Sequence, residues 1–190
     1  MSHTVWADGG VWNTVYSDSY DYHGYSSMRS SGSGGRSSAV ISIDLDPQNL
    51  LNTSLRIATR ERRLEDVKRL LEQGAEVDGV SDRGETAVMI AARGCSQQLV
   101  QLLIEKKANI NLTDTFGRTA LILAARESCM PVVQNLLKTA GIQLNGLDRS
   151  KKSAMDYARE NAMLEVGGPA EEITHLLYAA RARRFRTMVF

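Results

Sequence analysis

The sequence predicts an all-α protein, a solenoid of stacked helix-turn-helix units with short finger turns, preceded by a disordered arm. Three observations predict it. Residues 81–111 and 114–145 read alike when slid 33 places, so that Gly84, Thr86, Ala91, Ala92, Val100 and Leu103 return as Gly117, Thr119, Ala124, Ala125, Val133 and Leu136. Within a unit the apolar residues fall at helical spacing, Val88, Ala91 and Ala92 and then Leu99, Val100, Leu103 and Ile104, which places two short amphipathic helices after a glycine-containing turn. Helices of about 8–10 residues are marginal in water. The apolar stripe of each unit must therefore be covered by its neighbours, and that requirement makes such units stack.

Taken in order, residues 1–45 form the expected arm, 46–184 the repeat domain and 185–190 a tail. Residues 1–40 mix Ser, Gly, Tyr and Asp without a helical or strand period and end in a Gly/Ser linker. Trp6, Trp12, Tyr16, Tyr20, Tyr22 and Tyr25 suit a short docking segment. The tyrosines, with Ser30, Ser31, Ser37 and Ser38 near Arg29 and Arg36, suit phosphorylation. Order is expected from Asp46-Pro47, an N-cap followed by proline at the first helical position, with Leu50, Leu51, Leu55 and Ala58 on one face. A second helix over about Leu64–Gln73 ends at Gly74, suited to a C-cap. Repeats two and three carry the turn glycines Gly84 and Gly117, where positive φ is expected. Pro131 opens the second helix of repeat three, where a missing amide hydrogen does no harm. In unit four Lys151 stands at the glycine position and Ser153 at the threonine position, and six extra residues lie around Met163–Gly168, so its finger is the least regular. A last helix from Ala170 to about Arg184 closes the stack.

The period of 33 and the Gly-x-Thr-Ala-(Val/Leu) cores resemble the ankyrin repeat, with its signature Gly-x-Thr-Pro-Leu-His-x-Ala, over about four units in residues 47–180. The family's Pro and His are replaced by Ala87 and Met89, Ala120 and Ile122, and Ala154 and Asp156. The resemblance gives that histidine a part in tying adjacent turns, so a softer stack is expected. It also implies a non-catalytic protein-protein interaction module, an adaptor or scaffold that holds a protein partner on a concave finger and inner-helix face. Carried over residue by residue, the fingertips are Asp82, Arg83 and Glu85; Thr115, Phe116 and Arg118; and Arg149 and Lys152. The inner-helix positions are Arg60 and Glu61, Arg93, and Arg126 and Glu127. Arg60, Arg93 and Arg126 are spaced by 33 and should form a ladder of guanidinium forks suited to an acidic or phosphorylated segment. Phe116 is a candidate apolar anchor. The alternative role is a structural subunit of a larger assembly, with the arm threading over neighbours.

Composition narrows the classes further. With 43% apolar residues the chain can bury a core. No apolar run approaches the roughly 18 residues of a membrane span, and MSHTVWADGG lacks the features of a signal peptide. A cytoplasmic protein is expected, with the nucleus as the alternative. Cys95 and Cys129 are expected as free thiols in a reducing compartment. His3, His23 and His175 have no ligand-spaced partners and no phosphate-cradling motif is present, so neither enzyme, metal, cofactor nor small-molecule substrate is expected. The arginines at 181, 183, 184 and 186 suit a helix C-terminus. They are too few for a nucleic-acid site. Met188-Val189-Phe190 resembles a C-terminal peptide ligand.

Overall fold

The computed structural model describes the backbone of residues 3–5, 13–15, 46–164 and 167–187, with side chains over 46–164 and 167–183. The chain divides into two compact units, Met1–Ser42 and Ile43–Phe190. In the first, β1 (His3–Val5) and β2 (Asn13–Val15) pair antiparallel with His3 opposite Val15 and Val5 opposite Asn13. Each is three residues long, too short to show a period of two, although Thr and Val favour extended backbone. The arm's aromatics and serines, the Val40–Ile43 stretch, the side chains of Arg184 and Arg186, and the terminal Met188-Val189-Phe190 lie outside the described residues.

The second unit holds eight helices among its described residues: α1 (Pro47–Arg60), α2 (Leu64–Glu72), α3 (Ala87–Arg93), α4 (Gln97–Glu105), α5 (Ala120–Arg126), α6 (Met130–Lys138), α7 (Ala154–Leu164) and α8 (Pro169–Thr187). Asp46 caps α1 through its carboxylate, which accepts from Gln48 N at 3.1 Å, with Pro47 at the first position. Thr86 and Thr119 cap α3 and α5 by accepting from Met89 N and Ile122 N. At α7 the cap is reciprocal. Ser153 Oγ accepts from Asp156 N at 3.3 Å, and the Asp156 carboxylate accepts from Ser153 N at 2.8 Å and Ser153 Oγ at 2.7 Å.

Each of α1, α3 and α5 ends alike. Arg62, Cys95 and Ser128, one period apart, take left-handed φ of 59°, 54° and 54°. The next amides, of Arg63, Ser96 and Cys129, donate back to Ala58 O, Ala91 O and Ala124 O at 2.9–3.0 Å. This closes the helix carbonyls and turns the chain into the outer helix.

Packing then follows the period. Helix α3 packs on α1 and α5, and α5 on α7, forming one inner row; α4, α6 and α8 pack on one another in an outer row. The inner row can be tight because Ala91, Ala92, Ala124 and Ala125 are all buried, and small side chains let helix axes approach. Between the rows lie Leu55, Val67, Met89, Leu99, Val100, Leu103, Leu121, Leu123, Leu136 and Ile173, fully enclosed. Each such leucine stabilises the unit by about 1.5–3 kcal/mol relative to exposure. Leu50, expected on the buried face of α1, is instead 53% exposed, and Asn52 and Thr59 are buried. Among the described residues the capping unit has a neighbouring repeat on one side only. Asn52 points toward its own following loop, where its Oδ1 accepts from Glu76 N at 2.8 Å.

Candidate functional site

The fingers are three turns of one design. Gly84 N donates to Ser81 O, Gly117 N to Asp114 O and Lys151 N to Asp148 O, at 2.7–2.9 Å, with φ of 69°, 76° and 58° at Gly84, Gly117 and Lys151. The side chain at the first position fills the turn. Ser81 Oγ accepts from Glu85 N at 3.1 Å, Asp114 Oδ1 from Phe116 N and Arg118 N at 2.9 and 2.8 Å, and Asp148 Oδ1 from Lys152 N at 2.9 Å. The fourth unit's finger, expected to be the irregular one, therefore forms like the others. Asp148 holds it from inside, and Lys151 adopts the left-handed conformation that Gly adopts elsewhere.

Successive fingers are stitched together. Thr115 N donates to Arg83 O, and Arg149 N donates to Phe116 O, both at 2.9 Å. Fingertip residues one period apart thus stand side by side. A Cβ at Gly117 would lie 3.3 Å from Arg149 N and Asp148 Cα, so glycine is favoured there by approach as well as by φ.

Of the expected site residues, Asp82, Arg83, Thr115 and Arg149 are exposed at the fingertips, and Arg60, Glu61, Arg126 and Glu127 are exposed at the ends of α1 and α5. Phe116 is 51% exposed, and the guanidinium of Arg118 lies 4.6 Å from its ring centre. That guanidinium is fixed from behind by Asp114, with Arg118 Nη2 and Nε at 2.6 and 2.7 Å from Oδ2.

Three expectations are corrected. Glu85, placed at a fingertip, is only 7% exposed, because the residue after the turn glycine points back along the finger to the inner helix. There it receives Arg93 Nη1 at 2.6 Å. The middle rung of the arginine ladder is therefore occupied by an internal carboxylate. The terminal amine of Lys152 is likewise engaged, 2.7 Å from Glu160 Oε1, a hydrogen bond that holds the ammonium above its usual range. Glu160 takes the ladder position in the fourth unit, and Arg159 stands one residue before it. Glu61 pairs with Arg63. Arg60, Arg126 and Arg149 make no ion pair with the described residues.

The third correction concerns Cys95 and Cys129. The structure joins them in a disulfide across repeats two and three, with Cα atoms 5.4 Å apart. Residues a full 33 apart are separated by one helix spacing of about 10 Å. The one-residue offset between the cysteines brings the end of α3 onto the start of α6.

Arg56 was missed by sequence reasoning. It occupies in α1 the grid position of Met89, Ile122 and Asp156, and its Nη1 donates to Val80 O at 3.3 Å, tying α1 to the following finger. Burial lowers its pKa; Asp82 and Glu85 pull the other way and Arg60 adds to the lowering. The 33-residue grid extended back to position 56 would have found it. Asp148 and Tyr157 form a second unanticipated pair, with Tyr157 Oη donating to Asp148 Oδ2 at 2.6 Å. Burial raises the carboxyl's pKa, but the bonds from Tyr157 and from the Lys152 and Ser150 amides outweigh it, leaving it below the usual range.

Among the described residues no group of three or more His, Cys, Asp or Glu could hold a metal ion, and no helix is long and apolar enough to cross a membrane. No curated protein matches the chain. The family description of ankyrin repeats, in three copies, matches residues 55–148 and 88–168. The match runs from within α1 to the residue before α8, and the chain belongs to the ankyrin repeat family.

Proposed function

We propose that this protein is a non-catalytic adaptor that holds an acidic or phosphorylated segment of a protein partner along its fingers and inner-helix ends. Ankyrin repeats are generally protein-protein interaction modules, and the finer reading rests on one arrangement. Phe116, exposed and braced by Arg118, stands on the middle finger, with exposed Arg126 at the end of the same repeat's inner helix and exposed Arg149 on the next finger. An apolar anchor together with guanidiniums at Arg126 and Arg149 that make no ion pair with the described residues suits a chain carrying both an apolar side chain and negative charge. Arg93 contributes less than its ladder position suggests, because Glu85 already holds it.

The test is selection from a displayed peptide library with the full chain, followed by affinity measurements on the best peptide. Enrichment of Asp, Glu or phosphorylated residues beside an apolar residue supports the reading. So does a loss of about fivefold or more in each of Phe116→Ala and Arg126→Glu. Equal affinity in both variants moves the site elsewhere.

A further inference from the structure

The disulfide lies at the corners opposite the fingers, where each inner helix hands over to its outer helix. Cys95 follows the α3 cap residue Gly94 in left-handed conformation, with φ of 54°, and Cys129 is the N-cap of α6. Their counterparts one period away are Ser128 and Ser96, so each cysteine replaces the serine found at its position in the other repeat. The two residues differ in access: Cys95 is exposed, and Cys129 is 3% exposed. The Cα separation of 5.4 Å lies within the range of about 4.4–6.8 Å in which a bridge closes without backbone movement. Every other tie described between repeats two and three is packing or hydrogen bonding; this one is a covalent bond that chemistry can open.

We propose that Cys95 and Cys129 form a reversible redox modification site, oxidised by peroxides or small-molecule disulfides and reduced by small thiols. Closing the site staples repeat two to repeat three. The exposed Cys95 is the sulfur that reagents reach. In oxidation, the Cys95 thiolate attacks a peroxide oxygen, the O–O bond breaks, and a sulfenic acid and hydroxide form. The Cys129 thiolate then attacks the Cys95 sulfur and expels a second hydroxide. The net change is two thiols and one hydrogen peroxide to one disulfide and two waters. In reduction, an external thiolate attacks the Cys95 sulfur and the Cys129 thiolate leaves. A second external thiol attacks the mixed disulfide and releases Cys95. Two external thiols become one disulfide, and both cysteines end as thiols. Closing a loop between residues 34 apart restricts the unfolded chain enough to raise Tm by about 10 °C in a protein of this size.

The test treats the full chain with stoichiometric hydrogen peroxide or glutathione disulfide, then with dithiothreitol, following intact mass, thiol alkylation and Tm. The proposal expects a monomer that loses two hydrogens and both alkylatable thiols, regains them on reduction, and melts about 10 °C higher when oxidised. Cys95→Ser should fold, because its counterpart is already serine, and its Tm should be indifferent to either reagent. The proposal is overturned by two thiols that persist under oxidant, by oxidation that yields only intermolecular dimers, or by equal Tm in the two states. It is also overturned if Cys95→Ser keeps the Tm response of the parent chain.

Discussion

Replacing Gly117 by alanine perturbs the stack at the point where one finger meets the next. Two effects act on the new methyl group. With φ of 76° the residue sits in the left-handed region, which costs an L-residue about 1–2 kcal/mol; the lower entropy of the unfolded alanine chain returns about 0.4–1 kcal/mol. The Cβ would also stand 3.3 Å from Arg149 N and Asp148 Cα. Both are backbone atoms, which cannot swing aside, and Arg149 N is the donor of the finger-to-finger bond to Phe116 O. Gly141 separates the two effects, since its φ is 81° and a Cβ there would meet nothing within 4 Å. We expect Gly141→Ala to lose about 1 kcal/mol and Gly117→Ala about 2 kcal/mol. In urea titrations followed by circular dichroism, these losses lower the midpoint by about 0.5 M and about 1 M at a slope of about 2 kcal/mol/M. Equal losses in the two variants would refute the claim that the fingers touch through their backbones.

Lys151 runs the same experiment in reverse: it takes φ of 58° at the glycine position of the last finger, so Lys151→Gly should raise the urea midpoint slightly, by about 0.5 kcal/mol or less in stability. The pKa values of Asp148 and Asp156 are lowered in the folded chain, Asp156 chiefly by the Ser153 hydroxyl and then by the Ser153 amide. Stability from both carboxylates is therefore present above the unfolded value of about 3.9 and lost as pH falls through their folded values. Tyr157→Phe should shift the acid unfolding midpoint of unit four to higher pH, as read by amide spectra of α7 during an acid titration. Glu85 and Arg93 should show a coupling of about 1 kcal/mol in a double-mutant cycle. The side chain of Arg93 is 38% exposed, and water screens part of the attraction. Phe116→Ala should change stability by less than about 0.5 kcal/mol, because half of its ring already faces solvent. Its effect belongs to partner affinity.

Much of the fold was legible because the period is itself a physical statement. The returns from Gly84 to Gly117 and from Thr86 to Thr119 mark a turn that needs positive φ and a helix start that needs a hydroxyl, and both occur where the grid puts them. The grid gives an address without giving a direction. Glu85 and Lys152 stand at fingertip addresses, yet one turns inward to Arg93 and the other reaches back to Glu160, because each has an opposite charge eight residues along on the following inner helix. Asp114 and Asp148 were not singled out by the period, yet their carboxylates each accept turn amides from within the finger. The cysteines were expected as free thiols because a reducing compartment was assumed and because an offset of one residue on a grid of 33 does not by itself reveal a close approach. In space it separates a helix end from a helix start, and it brings the two Cα atoms to 5.4 Å. Leu50 shows the limit at the edge of the stack, where an apolar address has no second repeat among the described residues to cover it.

Positions one period apart become neighbours across stitched fingers, and amide hydrogen exchange of the full chain reads this at single residues. Thr115 and Arg149 are exposed residues at fingertips, yet their amides donate to Arg83 O and Phe116 O. The account predicts that both exchange much more slowly than the amide of Asp82, which occupies the same place in the first finger and has no preceding finger to bond. Exchange of Thr115 and Arg149 at the rate of Asp82 would contradict it.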